Sequence, residues 1–214
     1  MLVSALGLVL LSTGCQSLKL VPVNAPTYNC LFSTNCILLV SDTVADFTTN
    51  VPPHIPPSTN ATLSGVLQSR SFAGQPGTAE AGLYGYEYRL VLNKLAGTES
   101  VSISSMTIPF SPYSSFTYNG QPNCQAWVVT SGGVGSIGPS SMAVNGSKVT
   151  FNFNPPLTFS STSSESTSSY FFGMISSTPP PATDNSWASF TGTDYLPGGG
   201  TASLNWLMLR VRTP

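Results

Sequence analysis

The sequence predicts an all-β protein, an antiparallel β-sandwich of about seven to ten strands, immunoglobulin-like or jelly-roll in type. Three observations predict it. Short runs alternate apolar and polar side chains with a period of two, and β-branched and aromatic residues fill them, as half-buried strands require. Turn chemistry rich in Gly, Pro, Asn and Ser separates these runs every ten to fifteen residues or so. Only 7% of residues are charged, against about 25% in an ordinary soluble domain, so long amphipathic helices would lack their solvated faces.

Taken in chain order, the first element is a signal. Residues 2–11 (LVSALGLVLL) form an apolar run of the length of an export-signal core, and Ser12-Thr13-Gly14-Cys15 follows. Small residues ending in a Cys resemble the lipobox of bacterial lipoproteins. The resemblance implies cleavage before Cys15 and a lipid anchor on its thiol. The expected organisation is a signal peptide over 1–14, an extended and Pro-rich segment over 15–60, and the sandwich over 61–214.

Within 15–60, residues 36–40 (CILLV) read as a fully buried strand. Residues 51–58 (VPPHIPPS) read as a stiff extended linker, since four prolines exclude helix and remove ladder donors. Of the four cysteines, Cys30 and Cys36 are close enough in sequence to close a local disulfide around LFSTN. If Cys15 carries lipid, Cys124 is free or pairs with Cys30 or Cys36. Without the lipid three pairings are open.

The strand pattern is clearest over 83–93 (LYGYEYRLVLN), with Tyr84, Tyr86, Tyr88, Leu90 and Leu92 on one face. Glu87 and Arg89 share the other face, where an ion pair between them is expected. Further strands are expected at 101–103 and 108–110, at 126–129, and at 142–144 and 149–153 flanking Asn145-Gly146, a strong hairpin signal. The run 170–175 is apolar on both faces, as a central strand is. The last strand is 204–211, with Arg210 and Arg212 at its exposed end. The low-complexity segment 160–169 reads as a long exposed loop inside the domain.

Chemistry is sparse. Seven cations and eight carboxylates leave a net charge of −1, which excludes the basic stripe of a nucleic-acid binder. Residues 133–138 match G-x-G-x-x-G but lead into a strand, so no dinucleotide site and no cofactor is expected. The single His54 sits among prolines, and CxxC is absent, so no metal site is expected. No catalytic residue is assigned. Glu87 is the best lone carboxylate, but glycoside hydrolysis needs a second one facing it.

Exposed aromatics remain. Tyr113, Phe116 and Tyr118 lie in SPYSSFTYNG and Trp187 in DNSWASF, both segments whose polar neighbours suit a protein or sugar contact. The functional expectation is a non-enzymatic exported protein of the cell envelope or extracellular space. It would act through contacts with other protein subunits, or alternatively with carbohydrate, and would meet a membrane only through the Cys15 anchor.

Overall fold

A computed structural model describes residues 16–51, 61–196 and 198–214. Its strands are β1 (Gln16–Ser17), β2 (Leu20–Asn24), β3 (Val40–Val51), β4 (Ala61–Ala73), β5 (Tyr84–Ala96), β6 (Ser100–Pro109), β7 (Phe116–Tyr118) and β8 (Gln121–Cys124). They continue as β9 (Ala126–Ser131), β10 (Ser141–Asn145), β11 (Lys148–Ser160), β12 (Thr167–Ser168), β13 (Phe172–Ser176), β14 (Ser186–Tyr195) and β15 (Thr201–Val211). One helix, α1 (Ala25–Phe32), joins β2 to the β3 segment. The first sheet runs β1-β10-β11-β6-β14-β15; the second runs β2-β9-β13-β5-β4-β3, with β12 beside β5. The two sheets pack face to face, so the chain is an all-β sandwich.

Period-two patterning explains the main core. Tyr86, Tyr88, Leu90 and Leu92 of β5 point at Ile103, Met106 and Ile108 of β6 and at Phe151 and Phe153 of β11, all buried in one cluster. The Asn145-Gly146 signal marks a hairpin in which Asn145 pairs with Lys148 and the loop is Gly146-Ser147. Gly146 has φ +60 at the first loop position, the conformation that a two-residue turn of this kind needs there.

Several elements depart from the sequence expectation. Strand β3 begins only at Val40, because residues 37–39 are irregular and Cys36, at φ +61, turns the chain to close the disulfide with Cys30. Residues 20–51 are not a separate extended piece: β2 and β3 are the two edges of the second sheet. β2 also pairs parallel to β9, the one parallel pair between named strands among the described residues. The prolines at 52–57, His54 and the whole segment 1–15, Cys15 included, lie outside the described residues. Among the described residues no helix is long and apolar enough to cross a membrane.

The C-terminal strand carries a further correction. Arg210 is exposed, but Arg212 is 2% exposed. Its Nη1 donates to the Ser41 carbonyl at 3.1 Å, to Ser41 Oγ at 3.0 Å and to Ser71 Oγ at 2.8 Å. Its own carbonyl accepts from Tyr88 Oη at 2.8 Å. The guanidinium thus ties the last strand to β3, β4 and β5 through neutral acceptors. A buried, hydrogen-bonded charge is worth several interactions at once, so Arg212→Ala is expected to destabilise the fold by about 3 kcal/mol. Urea denaturation of the variant checks this.

Candidate functional site

The outer face of the second sheet is where charge and burial meet. Strand register places Asp42 opposite Arg70, Arg70 opposite Glu87, Glu87 opposite Gly173, and Gly173 opposite Trp127. These five residues form one lateral row across β3, β4, β5, β13 and β9. Trp127 reaches over Gly173, and its Nε1–H donates to Glu87 Oε1 at 3.0 Å. Only Gly leaves that path open: a Cβ at position 173 would lie 2.9 Å from Trp127 Cζ2 and 2.0 Å from the Tyr86 carbonyl oxygen.

Helix α1 roofs this row. Asn24-Ala25-Pro26 starts it, with Pro in the first turn where its missing N–H costs nothing. Tyr28 and Phe32, four residues apart, face the sheet together. The Tyr28 ring lies 4.8 Å from Trp127, and Phe32 lies 5.0 Å from Phe72, centroid to centroid. With Val21, Val23, Val129 and Ile175 they make a second core, outside the sandwich. Its existence explains why Glu87, on the face expected to be solvated, is 5% exposed.

Glu87 does not pair with Arg89. Arg89 Nη2 donates to Ser168 Oγ at 3.0 Å, and its Cζ lies 5.8 Å from the Phe171 centroid. Arg70 stacks closer on the same ring, at 4.2 Å, while its Nε contacts Asp42 Oδ1 at 2.9 Å. The Asp42–Arg70 pair is partly exposed and near neutral as a unit. Burial dominates the carboxyl beside it and raises the Glu87 pKa to about 7, against smaller lowering by the Trp127 hydrogen bond and Arg70. A second carboxyl, Glu80, is 1% exposed and raised by burial, again to about 7. The Tyr28 hydroxyl lies in the field of both and is pushed well above its ordinary range, by burial first and then by Glu87 and Glu80. It is buried, and no described residue partners it.

Between α1, the disulfide loop and the Gly132–Val134 turn lies a cavity of about 510 Å³. Tyr28, Arg70 and Glu87 line its polar part. The loop containing the G-x-G-x-x-G match forms its wall and leads to strand β10 through a short bridge, as a turn before a strand and not as a helix start.

The aromatics singled out in the sequence divide. Phe116 and Tyr118 are buried in the second core, where Phe116 meets Trp127 edge-on at 5.6 Å and Tyr118 Oη accepts from the Asn24 backbone N–H at 3.0 Å. Neither presents a surface, because the β7–β8 hairpin folds back onto the sheet. Tyr113 packs half-buried against the main core. Trp187 is 46% exposed, with Arg210 stacked at 4.7 Å. It lines a hollow of about 240 Å³ with Thr107, Pro109, Lys148, Ser189 and Met208. Cys30 and Cys36 form a disulfide, which places the chain in a non-reducing environment, and Cys124 is a buried free thiol.

Trp187 stands at one end of the outer face of the first sheet. Along that face hydroxyls bond across strands: Thr107 Oγ1 with Thr150 Oγ1 and Ser102 Oγ with Thr158 Oγ1, each at 2.8 Å. The only charges on its described outward side chains are Lys148 and Arg210, both at the Trp187 end. Asp194 of β14 is turned inward, where its Oδ1 accepts from Thr98 Oγ1 at 2.6 Å. The strands β3, β4 and β5 of the other sheet, by contrast, carry Asp42, Asp46, Arg70, Glu87, Arg89 and Lys94. Sequence reasoning found Trp187 but missed the cavity, whose parts come from α1, β3, β4, β5 and β9 and meet only through register. Comparison with protein-family models, curated proteins and solved structures finds no match, so the functional reading rests on this geometry.

Proposed function

We propose that this chain is an exported, non-enzymatic protein of the cell envelope or extracellular space, held by a lipid on Cys15. It works as a structural subunit through contacts with other protein subunits. The observation that carries the reading is the outer face of the first sheet. It is a broad surface whose hydroxyls already bond to one another and whose charges are confined to one end. Such a face can be covered by protein without stripping water from ions, and charge depletion is what marks the centre of protein interfaces. Identical copies meet there with little Coulomb repulsion. The disulfide supports an extracytoplasmic setting.

Placing one charge in the middle of the face tests this. Thr191 is exposed on β14 between the two ends. Thr191→Lys is expected to weaken association at least about tenfold, since an unpaired charge would be desolvated on contact. A lysine placed instead at Ala79, exposed in the turn between β4 and β5, is expected to leave association unchanged. Sedimentation of the mature, anchor-bearing protein in detergent reads the difference. Equal assembly by both variants contradicts the reading.

A second reading, carbohydrate adhesion, is favoured by one observation: Trp187 is an exposed aromatic ring among hydroxyls. In that case Trp187→Ala abolishes retention on neutral polysaccharide, while Thr191→Lys leaves the mass of the protein unchanged.

A further inference from the structure

The cavity under α1 lies on the opposite sheet from that contact face and stands independently of it. Its contents are unusual for a structural gap. At its polar part sit hydrogen-bond donors with nothing to donate to. Tyr28, 1% exposed, has a hydroxyl with no partner among the described residues. Arg70 spends its Nε on Asp42, and no described residue accepts from its Nη groups. Glu87 has one oxygen taken by Trp127, and as a neutral acid it carries a further O–H. Asp42, the one carboxylate facing this group from β3, is itself engaged by Arg70 and by Gln68 Nε2 at 3.0 Å.

The remaining wall is apolar. Leu38, Val40, Val129 and Phe171 line it, and Ile37 and Val134, 64% and 51% exposed, stand at its mouth. Large apolar side chains held in water beside a cavity mark a binding surface more than a packing defect. The volume suits a small molecule.

We propose that this cavity binds a small amphiphile with an apolar chain and a carboxylate head, a medium-chain fatty acid being its simplest form. The head accepts from Tyr28 Oη and Arg70 and shares the Glu87 proton; the chain covers Val129, Val134 and Ile37. An ammonium head is excluded by the same geometry, because it brings only donors to a cluster of donors.

Calorimetric titration of the mature, disulfide-intact protein with decanoate tests the assignment at about pH 6, where Glu87 is neutral. Saturable one-site binding is expected, weakening above pH 7 as Glu87 ionises against the ligand carboxylate. Tyr28→Phe is expected to weaken decanoate binding about tenfold while leaving thermal stability equal or higher, because the deleted hydroxyl bonds to nothing in the empty protein. A merely structural role for Tyr28 gives the opposite, a loss of stability with binding unchanged. Decylamine at the same concentrations is expected not to bind. Absence of saturable decanoate binding, or equal binding of decylamine, overturns the proposal.

Discussion

Glu87→Gln is expected to abolish a large part of the pH dependence of stability. In the native chain burial holds Glu87 neutral up to about pH 7, whereas the unfolded chain releases that proton near the ordinary value of 4.5. Native protein therefore binds more protons than unfolded protein between these values, and stability falls as pH rises through the window. The contribution is fully present below about pH 4.5 and is lost above about pH 7. For Glu87 alone the window is worth about 3 kcal/mol. Glu80, raised to about 7 by burial as well, adds a slope of the same sign. The protein is thus expected to be more stable at pH 5 than at pH 8. The Gln variant keeps an oxygen for the Trp127 N–H but has no proton to lose. Urea denaturation at the two pH values should show the variant's loss reduced by about 3 kcal/mol relative to the parent. Identical slopes would mean that Glu87 is ionised in the native state and that its surroundings are wet.

The second large effect is expected at Gly173. Its neighbours leave no room for a methyl group: the Tyr86 carbonyl oxygen is fixed by the sheet and cannot retreat, and the Trp127 ring lies across the same space. Gly173→Ala is expected to cost about 3 kcal/mol or more, which lowers the melting temperature by about 10 °C in a chain of this size. Gly77→Ala is the informative comparison. Gly77 sits in a turn at φ +87 with nothing near its missing Cβ, so only left-handed strain opposes the substitution, at about 1 kcal/mol. A small effect at Gly173 would show that Trp127 does not lie over β13, and the link from Trp127 to Glu87 would go with it.

How much of this the sequence displays depends on whether the signal is local. The alternation from Tyr84 to Leu92 and the Asn145-Gly146 turn are properties of neighbouring residues, and the strands and hairpin appear where the pattern puts them. The Cys30–Cys36 closure is equally local. Strand β4 is hidden because polar residues fall on both of its faces, Ser69 and Ser71 on one and Gln68 and Arg70 on the other, so no clean alternation marks it. Helix α1 is hidden because eight uncharged residues with two inward aromatics make no helical stripe of their own. Its covering of Glu87 inverts the reading of that residue from solvated ion to buried acid. Phe116 and Tyr118 look like surface aromatics among serines, yet a three-residue strand folds them inward. The cavity is the least legible of all. Asp42, Arg70, Glu87, Trp127 and Gly173 are far apart along the chain and become neighbours only through cross-strand register.

The chain's three lysines offer the most direct test of the contact reading. Lys148 stands on the outer face of the first sheet, whereas Lys19 and Lys94 are exposed elsewhere. Amine labelling of intact host cells, compared with the purified monomer, should find Lys148 shielded in the cellular protein and Lys19 and Lys94 modified as before. Equal modification of all three would leave the uncharged face uncovered in its working state, and the proposed role as a contact subunit would fail.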